Sequence, residues 1–437
     1  MERLFSESGG ELMNRKTALF VVAGLLISIQ AHGEPVQPPC HVLKGASVWL
    51  PDGLVKDIDV RVDGDRLTIK ESGEIALEGC SVQELSGKVI TPGFVEPNSR
   101  MGLVEVELEG HTDDSSSGEH WEGDGNYRAS FQVWRGVNPR SQAIPASRVE
   151  GITSAVVMPR GALFSGQASW IDLSGRTQSE VVKGASVAQV VKLGAQEKSS
   201  RALSLHRFVG ALEEAKAFRK REDAWLKGKA AGPSIDREEL HALYRVVDRE
   251  IPVVFFADRA SDLENIANSA LEYGFKAIVV GGAEGWLVSR LLFKAGISVI
   301  IDPLLATGRS FDQLHGRPDN GRLLREAGVP VMFSSFETHN ARTLRQVAGN
   351  AVREGMSPED AMRAITIEPA IAFGMSGHGR LETGMRANLV VWSGDPFELS
   401  VVAEQVWIGG ERISLETRQT LLRDKYIRRL ELLKRQP

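Results

Sequence analysis

Four groups of polar residues carry types that do chemistry, and each follows a short apolar run. Asn98 and Arg100 close the segment Pro92-Gly93-Phe94-Val95-Glu96-Pro97. Asp258, Arg259 and Asp262 follow Pro252-Val253-Val254-Phe255-Phe256, and Glu284 and Arg290 follow Lys276-Ala277-Ile278-Val279-Val280. Glu337, His339 and Asn340 come after Pro330-Val331-Met332-Phe333. Carboxylates and imidazoles are the usual general acids and bases, so Asp258, Asp262, Glu337 and His339 are candidates for proton transfer. Arginine matches the planar geometry of a carboxylate or phosphate. Asn98, Arg100, Arg259, Glu284 and Asn340 are therefore candidates for holding a small polar or anionic ligand. The competing reading is a set of salt bridges and helix caps between loops.

Two other stretches invite a chemical reading. From Glu105 to Asp114 the chain gathers acids and His111, and a serine-rich run leads on to Glu119-His120. Acids and histidines in one loop could bind a metal, but their spacing fits no familiar ligand pattern, and acidic loops are commonly just solvated. Ser165-Gly166-Gln167-Ala168 lacks the Gly-x-Ser-x-Gly turn of a serine hydrolase. Gly281-Gly282 reads as a tight turn, not a phosphate loop.

The apolar runs are strand-length. Thr153–Val157, Ser186–Val191, Pro252–Phe256, Lys276–Val280, Ser298–Ile301 and Pro330–Phe333 mostly alternate with helical stretches such as Asp262–Tyr273, Gly285–Lys294 and Ala341–Arg353. Alternating strand and helix predicts an α/β fold with a parallel sheet. The candidate residues each stand just past a strand, the end at which barrels place their sites. Val42–Ile90, Ala387–Trp392 and Gln405–Gly410 show short strands and turns, so both ends of the chain are strand-rich. Glu213–Lys229 reads as a solvated helix and loop. Arg418–Lys434 reads as a basic helix expected to pack on the body through Leu421, Leu422, Leu430 and Leu433.

The segment Pro92–Arg100 resembles the first metal-binding strand of the amidohydrolase superfamily. Gly355-Met356-Ser357-Pro358-Glu359-Asp360-Ala361-Met362-Arg363-Ala364-Ile365-Thr366-Ile367-Glu368-Pro369-Ala370 and Gly379–Trp392 are similar to the C-terminal motifs of its imidazolonepropionase-like branch, with Asn388 at the usual aspartate. The likeness runs from Val42 to Gly410. It implies a TIM-type (β/α)8 barrel with a composite β-sandwich built from both chain ends. It also implies hydrolysis of carbon–nitrogen bonds other than peptide bonds, assisted by a divalent metal such as zinc. The positions that correspond to the family's metal ligands are Asn98, Arg100, Phe256, Gly281 and Phe336. An amide is a poor zinc ligand, and a guanidinium, a phenyl ring and a glycine offer no ligand at all. No metal cofactor is expected, and a metal-free pseudoenzyme or small-ligand binder is the favoured reading. An active hydrolase with a rearranged site is the alternative. Arg100 is expected to face the barrel mouth and pair with Asp258, Asp262 or Glu337, because a desolvated guanidinium needs a partner.

The domain boundaries follow. Residues 1–33, with a possible start at Met13, carry a basic segment, the apolar run Thr17–Ile29 and the small-residue site Ala31-His32-Gly33, which together read as a signal peptide. Residues 34–91 and 374–415 supply the β-sandwich, 92–373 the barrel, and 416–437 the basic helix. The mature chain is expected to be exported, periplasmic or secreted, with no membrane span. The only two cysteines, Cys40 and Cys80, form a disulfide in that setting or else stay small buried apolar residues. A net charge of −5 lacks the basic excess of nucleic-acid binders. Oligomeric state is left open.

Overall fold

Alternating β-branched residues set up five strands in the first part of the chain: β1 (Cys40–Leu50), β2 (Gly53–Asp63), β3 (Arg66–Glu71), β4 (Cys80–Glu84) and β5 (Val89–Pro92). The computed structural model describes residues 40–118, 127–161, 163–193, 200–304, 308 and 310–434. The expected signal peptide and Glu119-His120 lie outside them. One edge of β1 pairs with β2; the other holds β4 along its first half and β5 along its second, both parallel. In the β1–β4 register Cys40 faces Cys80, and the two form a disulfide with Cα atoms 4.6 Å apart. The last strands, β14 (Leu389–Trp392), β15 (Ala403–Ile408) and β16 (Glu411–Ile413), join through β5. Both chain ends thus build one hydrogen-bonded sheet around Leu43, Val48, Val60, Ile90, Val391 and Trp407. This is the composite β-domain expected from both chain ends, its strands linked in one continuous hydrogen-bonded order.

The barrel strands are β6 (Phe94–Ser99), β7 (Ile152–Val157), β8 (Phe164–Asp172), β9 (Val182–Val191), β10 (Val253–Ala257), β11 (Ala277–Gly281), β12 (Ser298–Ile301) and β13 (Val331–Phe333). They lie side by side in chain order, giving a nearly closed eight-stranded barrel. Its interior is filled by Val95, Val156, Trp170, Val254, Ile278 and Met332, as barrels of this size require.

The run through Val89–Thr91 belongs to the composite sheet as β5, and the barrel begins just after it at β6. Gly93 makes the switch possible, since a Cβ there would meet the Thr153 side chain at 2.0 Å. The expected parallel sheet needs one correction: β8 runs antiparallel to β7 and β9. Its connection to β7, residues 158–163, is far shorter than the dozen or so residues a parallel crossover needs. Sequence reading passed over β8 because its glycine and serines look like a turn.

Helices cover the barrel. The charged stretch 213–229 is mostly the end of a 26-residue helix, Arg201–Leu226, which buries Phe208, Leu212, Ala215 and Phe218. The motif at 355–370 forms helix Pro358–Ala364, capped by Ser357 with proline in its first turn, and helix Ile367–Ala372. Helix Arg418–Lys434 forms as expected but buries nothing: Leu421, Leu422, Leu430 and Leu433 are all exposed. Among the described residues no helix is long and apolar enough to cross a membrane.

Candidate functional site

At the C-terminal ends of β6, β7, β10 and β13 lies a cleft of about 170 Å³. It is lined by Asn98, Ser99, Arg100, Met158, Pro159, Arg160, Phe256, Phe336, Glu337 and Thr338. Four of the five positions that the resemblance pairs with metal ligands therefore meet in one place. They offer an amide, a guanidinium and two phenyl rings. The fifth, Gly281, belongs to a separate space of about 20 Å³ with Asp258, Asp302 and Arg317. Its backbone has φ +109°, and a Cβ there would sit 2.5 Å from Asp258 Oδ1. The fold uses that position as a glycine. Among the described residues no three histidine, cysteine or acidic side chains gather closely enough to hold a metal ion.

Two residues before Asn98, Glu96 is fully buried in β6. No strand ladder joins β13 to β6 among the described residues. Instead the Glu96 carboxyl accepts hydrogen bonds from Ser335 N (3.0 Å), Ser335 Oγ (2.9 Å) and Asn98 N (3.2 Å), bridging that seam. Burial pushes its pKa up to about 7, against the hydrogen bonds from Ser334, Ser335 and Asn98. Directly after Ser335, Phe336 sits at φ +56°, unusual for a bulky side chain. Ser334 Oγ accepts its N–H at 2.9 Å. Such outliers persist where the surroundings hold them, often at binding sites.

Arg100 does face the mouth, but its partner is none of the three expected acids. Arg100 Nη1 lies 3.3 Å from Asp113 Oδ2 and Arg160 Nη2 lies 2.9 Å from the same oxygen. Asp113 Oδ1 accepts the Ser115 N–H at 2.9 Å and the Ser115 hydroxyl. Burial works against its charge, but the Ser115 hydrogen bonds and the guanidiniums of Arg160 and Arg100 outweigh it, holding its pKa below the usual value. The acidic loop considered for a metal thus folds over the mouth as a partner for arginines. His339 is part of the same fastening: Nε2 is 2.9 Å from the Glu105 carbonyl oxygen and Nδ1 is 3.5 Å from Glu107 Oε1.

The single charged basin expected from the sequence is divided. Asn98, Arg100 and Glu337 meet in the cleft; the others do not. Asp258 accepts hydrogen bonds from Ala283 N (3.2 Å) and Gln313 Nε2 (2.9 Å), and burial raises its pKa. Asp262 pairs with Arg201 at 2.9 Å. Glu284 is buried and accepts the N–H groups of Ala260 and His315. Arg259 is exposed at the start of helix Ala260–Tyr273, and the Asn340 carbonyl caps a turn by accepting from Thr343 Oγ1. Arg160 and Glu96 were missed. Arg160 stands just past the end of β7, so the rule that favours strand ends would have found it.

The sequence profile of the Amidohydrolase family matches residues 240–414. An amidohydrolase from Thermotoga maritima MSB8 has a similar structure, with a TM-score of 0.77 and 25% identity, covering 86% of this chain and 99% of that one. Imidazolonepropionase of Cereibacter sphaeroides is 20% identical over 80% of this chain and 91% of its own length. The amidohydrolase TasK of Hapsidospora irregularis is 22% identical over 86% of this chain, which spans only 42% of that relative. Profile, relatives and barrel agree: this chain belongs to the amidohydrolase superfamily.

Proposed function

We propose that this protein is an exported, metal-free member of its superfamily that binds a small anionic molecule in the cleft that Arg100 and Arg160 line. The observation that carries the reading is the pairing of Arg100 and Arg160 with Phe256 and Phe336 around one small cleft. Two guanidiniums repel a divalent cation and attract an anion, and the phenyl rings supply apolar contact in place of ligand atoms. An amide, a guanidinium, a glycine and two phenyl rings do not fit a zinc-type metal, so no step is routed through one. A space of about 170 Å³ suits a molecule of only a few heavy atoms, below the range of drug-sized ligands. Export is supported by the basic and apolar pattern within 13–33 and by the Cys40–Cys80 disulfide, which belongs to oxidising compartments.

The second reading is hydrolysis of a non-peptide carbon–nitrogen bond by a rebuilt site. Family membership and the exposed Glu337 at the cleft rim favour it. One preparation tests both. Protein purified without chelators should carry well under one equivalent of transition metal by elemental analysis. Small carboxylates should raise its melting temperature, because a ligand that binds the folded state stabilises it. Turnover of a cyclic amide, abolished in Glu337→Gln, would overturn the binding-only reading.

A further inference from the structure

The anchor of the cleft is already occupied by part of the chain. Asp113 places one carboxylate oxygen between Arg100 and Arg160, and its side chain is only 4% exposed. The two guanidiniums remain 31% and 50% exposed, with Arg100 Nη2 also 4.0 Å from Glu107 Oε1, so neither is sealed off by Asp113. The loop backbone is fastened separately. Arg160 N donates to the Ser115 carbonyl and Ser117 N to the Arg160 carbonyl, both at 2.9 Å. Glu105 accepts from Asn138 Nδ2 at 2.8 Å and from Ser141 Oγ at 3.1 Å. Asp113 could therefore leave the arginines by rotating its side chain, with the loop still in place.

We propose that the ligand of this cleft is a carboxylate on a small apolar body, and that Asp113 is its built-in competitor. This rests on the reading of the cleft as an anion site. A carboxylate is favoured over other anions because a carboxylate already fits between these two guanidiniums. Met158, Phe256 and Phe336 stand beside that anchor and would cover the apolar body. Binding then exchanges one carboxylate for another: the ligand takes the arginines, and Asp113 gives up both them and the Ser115 hydroxyl. Affinity in the intact protein is lowered by the cost of displacing Asp113, as for any site whose competent state is only partly populated.

The test is calorimetric titration of the full chain with benzoate, with benzamide as the neutral isostere and acetate as the carboxylate lacking an apolar body. Asp113→Asn keeps the size of the side chain and removes its charge. It should bind benzoate about tenfold more tightly than the parent, a gain that shrinks with added salt. Benzamide should show no such gain, and acetate should bind far more weakly than benzoate. Should Asp113→Asn fold poorly, Ser115→Ala loosens Asp113 while keeping every charge, and a smaller gain of roughly threefold is expected on the same population argument. Equal benzoate affinity in parent and variants would overturn the competitor and leave the anion site standing. Absence of benzoate and acetate binding in parent and variants alike would overturn both.

Discussion

At the scale of single residues, Glu96 makes the stability of the seam between β6 and β13 depend on pH. Its folded pKa of about 7 lies above its ordinary value of 4.5. The folded state therefore holds its proton where the unfolded chain has lost it. Stability from this group is fully present below about pH 4.5 and is lost as pH rises through 7. The span corresponds to about 3 kcal/mol by the usual conversion. Asp113 acts with the opposite sign: its depressed pKa gives stability that is present above the ordinary carboxylate range and lost on acidification. The windows do not overlap, so a pH series separates them. Urea unfolding at pH 5 and pH 8 should show the parent losing about 3 kcal/mol relative to Glu96→Gln at the higher pH. If the two proteins follow the same pH dependence, the buried carboxyl is not titrating as described.

At the scale of elements, the first edge of the composite sheet depends on a covalent tie. β4 is short and partly exposed and, among the described residues, pairs only with β1, starting at Cys80 opposite Cys40. The disulfide closes a loop of sequence separation 40. The chain-entropy account gives about 4 kcal/mol for such a loop. Replacing both cysteines with alanine, or adding reductant, should lower the unfolding free energy by up to that amount. An unchanged urea midpoint under reductant would rule out a stabilising role. The C-terminal helix is the element where expectation and structure part most clearly. Leu422, Tyr426, Leu430 and Leu433 line one side of it, yet all four are exposed. Helical spacing marks an apolar face without saying whether anything lies against it.

For the molecule as a whole, the question is what makes barrel and β-domain fold as one. Asp172, at the end of β8, is almost wholly buried. It accepts from Ser154 Oγ at 2.8 Å and from Arg386 Nε at 3.0 Å, and His378 Nε2 stands 3.2 Å away. Arg386 also reaches Asp65 at 3.1 Å, in the turn between β2 and β3. Burial opposes the charge of Asp172, but His378, Arg386 and Ser154 prevail and its pKa is lowered. One guanidinium thus ties the barrel to the composite sheet. Arg386→Met should cost roughly 3 kcal/mol, because it leaves a buried carboxylate short of its partner. The loss should be equal when followed at Trp170 in the barrel or Trp407 in the sheet, as a single cooperative transition requires. A variant as stable as the parent would show that the bridge is dispensable.

What the sequence determined by itself was local or motif-borne. Apolar runs of strand length placed β7, β9 to β13 and the strands at both chain ends, because burial on both faces demands such runs. The motif at 355–392 identified the superfamily, and the resemblance, not residue chemistry by itself, pointed to Asn98, Arg100, Phe256 and Phe336 as the positions to compare with metal ligands. Tertiary structure decided the rest. β8 was hidden because Ser165, Gly166 and Gln167 read as a turn until the barrel buries them. Asp113 and Arg160 lie far apart in the chain and meet Arg100 only when the loop after β6 crosses the mouth. Asp258, Asp262 and Glu284 carry the right chemistry beside the right strands, yet nearby N–H groups and Arg201 claim them. Sequence spacing reports which residues leave a strand end; it does not report which neighbour takes them first, since that depends on contacts between segments many residues apart.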